Sequence, residues 1–385
     1  MAATNRIKCY ARAIHDGGIE CEVVVCGSTE LKKKGIRNTM AKGVYEGVSF
    51  RYIGNSTVGS SVSIVRKLMQ FYTLLKTKWF IRQNLQKGDV LFFFMVAKMG
   101  WVLRFMKAAK RKNAYCVRDL CELPLVTRAE TENAIRLRKA TIEKQFPKLD
   151  GIISISNALF NLAKTYTPST CKHIKVPIMV EYEHYVVNNR STQEPMPYIF
   201  HAGSLTQQKD GILGMIEAFG IAKQKLSMPV KYVLTGKIEQ SSHPVELKSI
   251  INKYHLEDSI EFVGFLMRNQ VKEYLSHASL VISNRPKSKQ DYYGFSTKVG
   301  EYLASATPLI TTKWGEAVNW LKDGESAYII EPENTEALAD TIIHVFDNPD
   351  KALRIGLNGQ EVCHRCFDYR SWSQPLVDFL KHLGD

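Results

Sequence analysis

Short apolar segments alternate with amphipathic ones along most of the 385-residue chain. Runs rich in β-branched and aromatic residues predict strands, and apolar residues at helical spacing predict the helices between them. In the first half, the predicted strands cover residues 20–26, 48–53, 89–95, 114–119, 150–156 and 172–178. The predicted helices there cover residues 2–16, 62–86, 98–112, 128–146 and 157–167.

A polar stretch, residues 186–197, has no apolar period and predicts a linker, after which the alternation restarts. Predicted strands then cover residues 198–203, 230–236, 260–265, 279–284, 307–312 and 327–332. Predicted helices cover residues 209–226, 244–255, 268–276, 296–305, 334–347, 350–366 and 370–383. Two successive βα arrays predict an α/β fold with two parallel sheets covered by helices, and ligands at the carboxyl ends of the strands.

The domain boundaries follow from this order of elements. We expect one domain over residues 1–187, a second over residues 188–368, and a C-terminal helix within residues 369–385 that packs back on the first domain. A parallel α/β domain normally opens with a central strand and a glycine-containing turn, whereas this chain opens on a predicted helix. We therefore expect the natural chain to start upstream of Met1, so that the first domain here lacks its first strand.

Positive charge is concentrated in the first half of the chain. Residues 1–190 contain 32 Lys and Arg against 14 Asp and Glu, a net charge of +18, whereas residues 191–385 have a net charge of −4. Segments 66–87 and 98–113 mix Trp, Phe and Leu with Lys and Arg at helical spacing, and segment 136–148 is also basic. This composition is typical of helices that rest on anionic lipid headgroups. The alternatives are ordinary amphipathic helices with a solvated basic face, or a nucleic-acid partner.

The sequence also indicates where the protein resides. It has no apolar run near the roughly 20 residues that span a bilayer, and no secretory leader pattern at its start. We therefore expect a cytoplasmic protein that associates peripherally with the inner face of a membrane.

The stretch "DYYGFSTKVGEYLASATPLITT", residues 291–312, places Lys298 in the first turn of a predicted helix. A helix begins with unpaired N–H groups and a positive partial charge, so a lysine there is unfavourable unless an anion is bound. Ser296 or Thr297 is expected to cap the helix, and Gly294 would let backbone N–H groups approach an anion closely. The alternative is an exposed pair of Lys298 with Glu301, three residues later, which stabilises by only about 0.2 to 0.5 kcal/mol.

The second half resembles the donor-binding domain of GT-B glycosyltransferases of family 4 over nearly its whole length. The resemblance lies in the order and spacing of "HAGSLTQQKDGILGMIEAF", "VLTGK", "IEFVGFL", "YLSHASLVISNRP", "GFSTKVGEYLASATPLITT" and "GEAVNWLKDGESAYIIEPEN". The first half is similar more loosely, through "TNRIKCYARAIHDGGIECEVVV", "VRDLCELP", "DGIISISNAL" and "VPIMVE". The resemblance implies two facing Rossmann-like domains, with a nucleotide-sugar donor bound mainly by the second and an acceptor mainly by the first.

The resemblance also implies roles for particular residues. Glu301 matches the second of two family glutamates and would hold the ribose hydroxyls, while Tyr293 stands where the first would be, with Asp291 as a possible substitute. Lys209 matches a diphosphate-binding lysine, and Ser204 stands where an arginine is expected. The implied donor site comprises Gly203, Ser204, Lys209, Gly236, Arg285, Tyr293, Gly294, Phe295, Ser296, Thr297, Lys298 and Glu301.

The resemblance further implies transfer with retention at the anomeric carbon and without a metal. Lys209 and Lys298 would stabilise the charge that develops on the leaving nucleoside diphosphate. Arg118, Asp119 and Glu122, at the end of strand 114–119, are the acceptor-side candidates, with Asp119 also a candidate catalytic residue. The alternative for them is a helix-capping aspartate beside a surface arginine. No cofactor is expected, because a UDP- or GDP-sugar is the substrate.

His201 ends strand 198–203 and is interpreted as an ordinary strand-end histidine, with a place beside the ligand as the alternative. The ten histidines offer no metal-binding spacing.

Together these features predict a hexosyltransferase that extends a glycan, polyprenol-linked, in the synthesis of a cell-surface polysaccharide. Two alternatives stay open. One is a non-catalytic protein that binds an anion or nucleic acid on its basic half, although no nucleic-acid module is recognisable. The other is a GT-B sugar-nucleotide epimerase, which should have more carboxylates and histidines in its site.

Overall fold

The computed structural model describes residues 2–31, 36, 38–94, 99–124, 131–186 and 196–385. Its strands are β1 (Glu22–Val25), β2 (Glu30–Leu31), β3 (Lys42–Tyr45), β4 (Val48–Tyr52), β5 (Val58–Gly59), β6 (Val90–Phe93), β7 (Tyr115–Leu120), β8 (Gly151–Ser154), β9 (Lys172–Lys175), β10 (Tyr198–His201), β11 (Lys231–Leu234), β12 (Ile260–Phe262), β13 (Leu280–Ser283), β14 (Leu309–Thr312) and β15 (Tyr328–Ile330). Its helices are α1 (Ala2–Asp16), α2 (Ser63–Asn84), α3 (Met99–Lys110), α4 (Glu132–Gln145), α5 (Asn157–Tyr166), α6 (Tyr182–Tyr185), α7 (Gln207–Asp210), α8 (Ile212–Lys223), α9 (Pro244–Lys253), α10 (Arg268–His277), α11 (Lys289–Tyr293), α12 (Thr297–Ala304), α13 (Thr335–Asp347), α14 (Pro349–Cys366) and α15 (Ser373–Lys381).

The chain forms two compact units. The first unit contains Met1–Ile155, Leu159–Val176 and Tyr369–Asp385, and the second contains Ser156–Ala158 and Pro177–Asp368. Helix α15 therefore belongs to the first unit, where it packs against α1. The boundary that the sequence predicts, between residues 187 and 188, lies outside the described residues.

The second unit is built on one six-stranded sheet in the order β12-β11-β10-β13-β14-β15. Every neighbouring pair in this sheet is parallel. Strands β13 and β14 are buried along their whole length, which is why their sequences are continuous apolar or small-residue runs rather than alternating ones. The order of the strands reverses between β10 and β13, and the loops at the carboxyl ends of such neighbouring strands form the usual ligand crevice.

The first unit has three separate sheets among its described residues. Strands β6, β7, β8 and β9 form a parallel sheet in that order. Strands β1, β4 and β3 form a second, in which β3 and β4 are antiparallel, and β2 pairs with β5 in the third. Gly151 in β8 makes room for the C-terminal segment, because a Cβ there would lie 2.7 Å from the ring of Phe379.

The long elements predicted from the sequence are present, but one helix is not continuous. The predicted helix 209–226 is divided into α7 and α8 by Gly211, whose φ of +59° ends one helix and begins the next. A side chain there is excluded, because a Cβ would lie 2.6 Å from the amide nitrogen of Asn284. Parts of three predicted elements lie outside the described residues: residue 95 of one strand, and residues 98 and 128–130 of two helices.

Five short elements were not predicted from the sequence: β2, β3, β5, α6 and α11. Within the described part of the chain, no helix has the length and apolar character needed to cross a membrane.

Candidate functional site

The start of α12 is held by a buried ion pair. Lys298, in the first turn, directs its Nζ to Oδ1 of Asp210 at 2.6 Å, and only 23% of its side chain is exposed. This contact argues against the alternative interpretation of the sequence, in which Lys298 forms an exposed pair with Glu301. Ser296 is the N-cap residue, as predicted, but its side chain accepts no capping hydrogen bond from the helix.

Asp210 is the centre of the surrounding network. The N–H and the hydroxyl of Ser204 both donate to its Oδ2 at 3.3 Å, and Nη1 of Arg285 lies 3.9 Å from its Oδ1. Burial alone would raise the pKa of this carboxyl group, but Lys298 and its other positive neighbours hold the pKa well below its ordinary value. Asp210 is therefore a carboxylate at any physiological pH.

His201 lies beneath this pair and is almost completely buried. Its Nδ1 lies 3.0 Å from the carbonyl oxygen of Ile282, and because a carbonyl only accepts, Nδ1 carries the hydrogen. Among the residues that the structure describes, its Nε2 has no hydrogen-bond partner, and it lies 3.7 Å from Oδ1 of Asp210. Burial, and then the charge of Lys298, lower the pKa of His201 to about 4, so the ring is neutral at pH 7.

Gly203 and Gly236 shape the adjoining loops. A Cβ on Gly203 would overlap Nε2 of His201 and lie 2.8 Å from Nζ of Lys298, so both groups converge on the space that this glycine leaves. The Thr235 hydroxyl accepts from the Gly203 N–H at 2.8 Å and joins the loops after β10 and β11. Gly236 has a φ of +98°, the left-handed conformation that glycine tolerates best.

Arg285 is paired with Asp291 rather than left as a solvated loop residue. Its Nε donates to Oδ1 of Asp291 at 2.7 Å, and its Nη2 donates to the same oxygen. The Ser288 hydroxyl donates to Oδ2 of Asp291 at 2.6 Å. The suggestion that Asp291 replaces the missing family glutamate is therefore wrong, because both oxygens of this buried carboxylate are already engaged inside the loop.

A small recess opens beside the start of α12. It contains part of the donor site predicted from the sequence together with residues that the sequence did not single out, and its lining is Arg285, Asp291, Gly294, Phe295, Ser296, Val299, Thr311, Trp314, Glu316 and Ala317. Glu316 is buried and accepts from the Asn157 N–H at 2.8 Å and from the indole of Trp320 at 3.1 Å. The sequence gave no sign of the contact with Asn157, because 159 residues separate the two partners in the chain.

The other predicted donor residues lie around the same helix start. The carbonyl of Tyr293 accepts from the Ser156 hydroxyl at 2.6 Å. Gly294 has an extended backbone, and a Cβ there would lie 2.7 Å from the Gln290 carbonyl, so close packing explains this glycine. The ring of Phe295 meets Phe367 edge-on at 5.6 Å.

Glu301 and Lys209 complete the predicted set, along with Thr297, the first residue of α12. Burial, and then the Glu301 carboxylate, raise the pKa of Tyr185, so Glu301 lies close to that hydroxyl. Lys209 is half-buried on α7, and it makes no ion pair with any residue that the structure describes. The second unit thus brings Lys298 and Arg285 together around a single carboxylate, Asp210.

Residues 188–362, which include this whole network, match the model of the family "Glycosyl transferases group 1". This segment therefore resembles the glycosyl transferases group 1 family. The curated relative AmsK of Erwinia amylovora, an amylovoran biosynthesis glycosyltransferase, is 21% identical over 53% of this chain and 49% of its own length. The curated relatives that the chain matches are covered over only 23% to 49% of their own length.

Solved structures of glycosyltransferases have the same fold. Sucrose-phosphate synthase from Thermosynechococcus elongatus superposes with a TM-score of 0.71 at 16% identity, covering 98% of this chain and 92% of that one. HepE from Anabaena, solved in complex with UDP and glucose, superposes with a TM-score of 0.65 at 16% identity over 87% of each chain. These likenesses confirm the predicted α/β fold of the GT-B type.

Outside the group 1 glycosyl transferase segment, Asp119 has contacts that the sequence did not predict. It lies on β7, where Nη2 of Arg6 donates to its Oδ1 at 2.9 Å, Nε donates to its Oδ2 at 3.1 Å, and the Tyr10 hydroxyl donates at 2.8 Å. Its side chain is completely buried. The predicted role of Asp119 in orienting an acceptor or in catalysis stays a prediction, and the three hydrogen bonds that its carboxylate accepts from α1 instead favour a structural role.

The two neighbouring candidates differ from Asp119 in exposure. Arg118 is half-buried and donates to Oε1 of Gln145, and burial lowers the pKa of its guanidinium. Glu122 is exposed just after β7. The alternative of a helix-capping aspartate is wrong for Asp119, because this residue lies within a strand.

The candidate site contains two residues that the sequence did not single out as part of it, Asp210 and His201. Asp210 follows Lys209 in an ordinary polar stretch of the sequence, and its partner Lys298 lies 88 residues later in the chain. His201 ends a strand, as predicted, but it is not satisfied, because Nε2 lacks a partner. One feature of the sequence could have drawn attention to Asp210: it stands directly before Gly211, the glycine that ends α7.

Proposed function

We propose that the protein is a retaining GT-B glycosyltransferase of family 4 that moves a hexose from a nucleotide sugar to a glycan acceptor. The observation that carries the proposal is the pair of cations Lys298 and Arg285 beside Asp210 at the start of α12, inside the segment that matches the group 1 glycosyl transferases. A diphosphate is the ligand that a helix start with adjacent cations recognises best.

The proposed chemistry follows from the charges. The N–H groups at Ser296, Thr297 and Lys298 would bind the diphosphate, and Lys209 and Lys298 would stabilise the negative charge that develops on it as the sugar leaves. Glu301 would accept from the ribose hydroxyls. Because protein cations supply this stabilisation, we propose that neither a metal nor a cofactor is required, so that activity persists in excess EDTA.

The donor is proposed to be a UDP- or GDP-sugar, and UDP-glucose is the first probe because HepE is solved with UDP and glucose. The test is to incubate the protein with a panel of UDP- and GDP-sugars and to follow release of the nucleoside diphosphate with and without glycan acceptors. Release stimulated by an acceptor supports the proposal. Inversion of the donor sugar without release would instead indicate an epimerase, and no change in any donor would indicate a non-catalytic anion-binding protein.

The acceptor is proposed to be a polyprenol-linked glycan of a cell-surface polysaccharide, reached by peripheral association with the inner membrane face. Helix α2 supports this. It carries Arg66, Lys67, Lys76, Lys78 and Arg82 and no acidic residue. It also exposes large apolar side chains: Ile64, Val65, Leu68, Met69, Phe71, Tyr72, Leu75 and Trp79.

Basic and apolar groups exposed together on one helix fit an anionic lipid surface, which offers both negative headgroups and an apolar layer. The neighbouring helix α3 adds Arg104, Lys107 and Lys110 and no acidic residue. On the acceptor side, the remaining candidates are Arg118 and Glu122.

The membrane proposal is tested by sedimentation with vesicles. Retention on vesicles that contain phosphatidylglycerol, greater than on phosphatidylcholine alone and weakened but not abolished by salt, supports it, because the apolar contacts are insensitive to screening. Tighter binding to duplex DNA, lost in proportion to salt, would favour the nucleic-acid alternative.

A further inference from the structure

The unpartnered Nε2 of His201 is the feature of the site that the proposed chemistry does not use. It is buried, it is aimed at Oδ1 of Asp210 from 3.7 Å, and it carries no hydrogen because Nδ1 donates to the Ile282 carbonyl. The lone pair of Nε2 faces the negatively charged oxygen of Asp210, so these two atoms form no favourable interaction. The arrangement persists because Lys298, at 2.6 Å, neutralises the same oxygen.

The charged groups around His201 come from three elements. Asp210 lies on α7, Lys298 on α12, and Arg285 on the loop after β13. The Tyr302 hydroxyl, also on α12, is occupied by the backbone of Ala202, from whose N–H it accepts at 2.8 Å. Arg285 is directed mainly to Asp291, so Lys298 is the cation that decides whether Asp210 needs another partner.

Lys298 has the means to leave Asp210. Its ammonium group sits on a flexible four-carbon chain, its side chain is 23% exposed, and Gly203 leaves open the space beside Nζ and Nε2. An anion bound at the start of α12 would compete with Asp210 for this ammonium group. If Lys298 turned towards the anion, Asp210 would be a buried carboxylate without its main cation, which is strongly unfavourable.

We infer that His201 replaces Lys298 as the partner of Asp210 when the donor diphosphate binds, so that donor binding takes up one proton from solvent at Nε2 of His201. The protonated ring donates from Nδ1 to the Ile282 carbonyl and from Nε2 to Asp210, so the orphaned nitrogen gains a partner. His201 is a positioning residue, because it acts on the donor through Asp210 and Lys298. The inference rests on the proposed function, since it requires an anionic donor at this helix start.

The exchange makes donor affinity depend on pH. In the free protein, burial and Lys298 lower the pKa of His201 to about 4, and in the bound protein Asp210 without Lys298 raises it. Between these two values the bound form holds one more proton, so donor affinity falls about tenfold for each unit that the pH rises. Above the bound-state pKa the affinity is constant.

The dependence of His201 protonation on Lys298 can be measured without any ligand. Nitrogen-15 NMR of the histidine rings distinguishes a neutral from a charged imidazole, and the signal missing in His201→Gln identifies residue 201. In the wild type this ring should stay neutral down to about pH 5. In Lys298→Met, which removes the cation and keeps the chain length, it should be charged at pH 6, whereas the exposed-lysine control Lys287→Met should behave as the wild type. A neutral ring at pH 6 in Lys298→Met overturns the exchange.

The experiment with ligand uses UDP-glucose, because its two phosphates are both esterified and do not titrate near neutrality. Isothermal titration in buffers of different ionisation enthalpy should show uptake of close to one proton by the wild type at a pH between the two His201 pKa values, and none by His201→Gln. Binding without proton uptake throughout pH 5 to 8 contradicts the exchange but does not contradict the proposed donor site. No binding of any UDP- or GDP-sugar, with a charged His201 in Lys298→Met, overturns the proposed donor and with it the donor-linked proton uptake, and shows only that Lys298 keeps the ring of His201 neutral.

Discussion

Lys298 and Asp210 form a buried ion pair, with Nζ 2.6 Å from Oδ1, although 88 residues separate them in the chain. The pair joins α7, which follows β10, to the first turn of α12. A lysine at a helix start is unfavourable by itself, and the carboxylate offsets this cost. Asp210 therefore pairs with the cation for which a diphosphate at this helix start would compete.

Replacing Lys298 with alanine is expected to weaken UDP binding. The loss should be roughly 1.5 to 3 kcal/mol, the usual range for a hydrogen bond to a charged group. Isothermal titration measures it, and Lys287→Ala, which removes an exposed lysine of the loop after β13, is the matched control. Equal affinity of the Lys298 variant and the wild type would mean that this lysine serves only to neutralise Asp210.

Replacing Asp210 with asparagine is expected to have opposite effects on stability and on binding. The protein should be less stable, because Lys298 keeps a half-desolvated charge without its carboxylate. UDP should bind more tightly, by about tenfold or 1.4 kcal/mol, because Lys298 no longer has to leave a competing anion. Thermal unfolding and titration measure the two effects. Weaker UDP binding would show instead that Asp210 holds Lys298 in its binding position.

Replacing His201 with glutamine is expected to flatten the dependence of stability on pH. The pKa of His201 is lowered to about 4 in the folded protein, so below its unfolded value of about 6.5 only the unfolded chain takes up the proton. The wild type should therefore lose about 1.4 kcal/mol of unfolding free energy for each pH unit between 6.5 and 4 from this group. Urea unfolding at pH 7 and pH 5 measures it. If the unfolding free energies of the two proteins change equally with pH, the claim that the buried ring of His201 is neutral is contradicted.

Replacing Asp119 with asparagine is expected to destabilise the first unit without changing the donor site. Arg6 would become a buried charge without its carboxylate, a change that typically costs about 3 to 5 kcal/mol. Urea unfolding should show this loss, and UDP affinity below the transition should equal that of the wild type. A variant of unchanged stability that loses transfer to acceptors would support the role in acceptor binding that the sequence suggested.

Replacing both Leu68 and Phe71 on α2 with serine is expected to release the protein from anionic vesicles. Each side chain contributes up to about 1.5 to 3 kcal/mol when buried in an apolar layer, so retention should fall at least tenfold. The matched control is Val245→Ser on α9, a 75% exposed valine of the second unit. If the double variant and the control sediment with vesicles equally, α2 is not the docking helix.

Much of the fold is predictable because the long elements carry a clear apolar period. Helix α1 has the predicted bounds, and β13 and β14 lie within the predicted strands, since buried parallel strands are apolar throughout. The break at Gly211 was missed because Ile212 and Leu213 continue the apolar pattern of the helix across it. Short elements such as α11 have no period to detect.

The donor site was predictable only where its residues are close in sequence. Lys298 stood out because a lysine conflicts with the local charge of a helix start. Asp210, His201 and Glu316 did not, because their roles depend on partners that only the sheet brings near, such as Ile282 on a neighbouring strand. The contacts of Asp119 were missed because the sequence does not show that Arg6, 113 residues earlier, reaches its carboxylate.

The central claim is that the donor diphosphate binds at the start of α12. A crystal structure of the protein with UDP tests it most directly. The account predicts phosphate oxygens within about 3 Å of Nζ of Lys298 and of the backbone N–H groups at Thr297 and Lys298. A diphosphate bound elsewhere, with Lys298 still paired to Asp210, would contradict it.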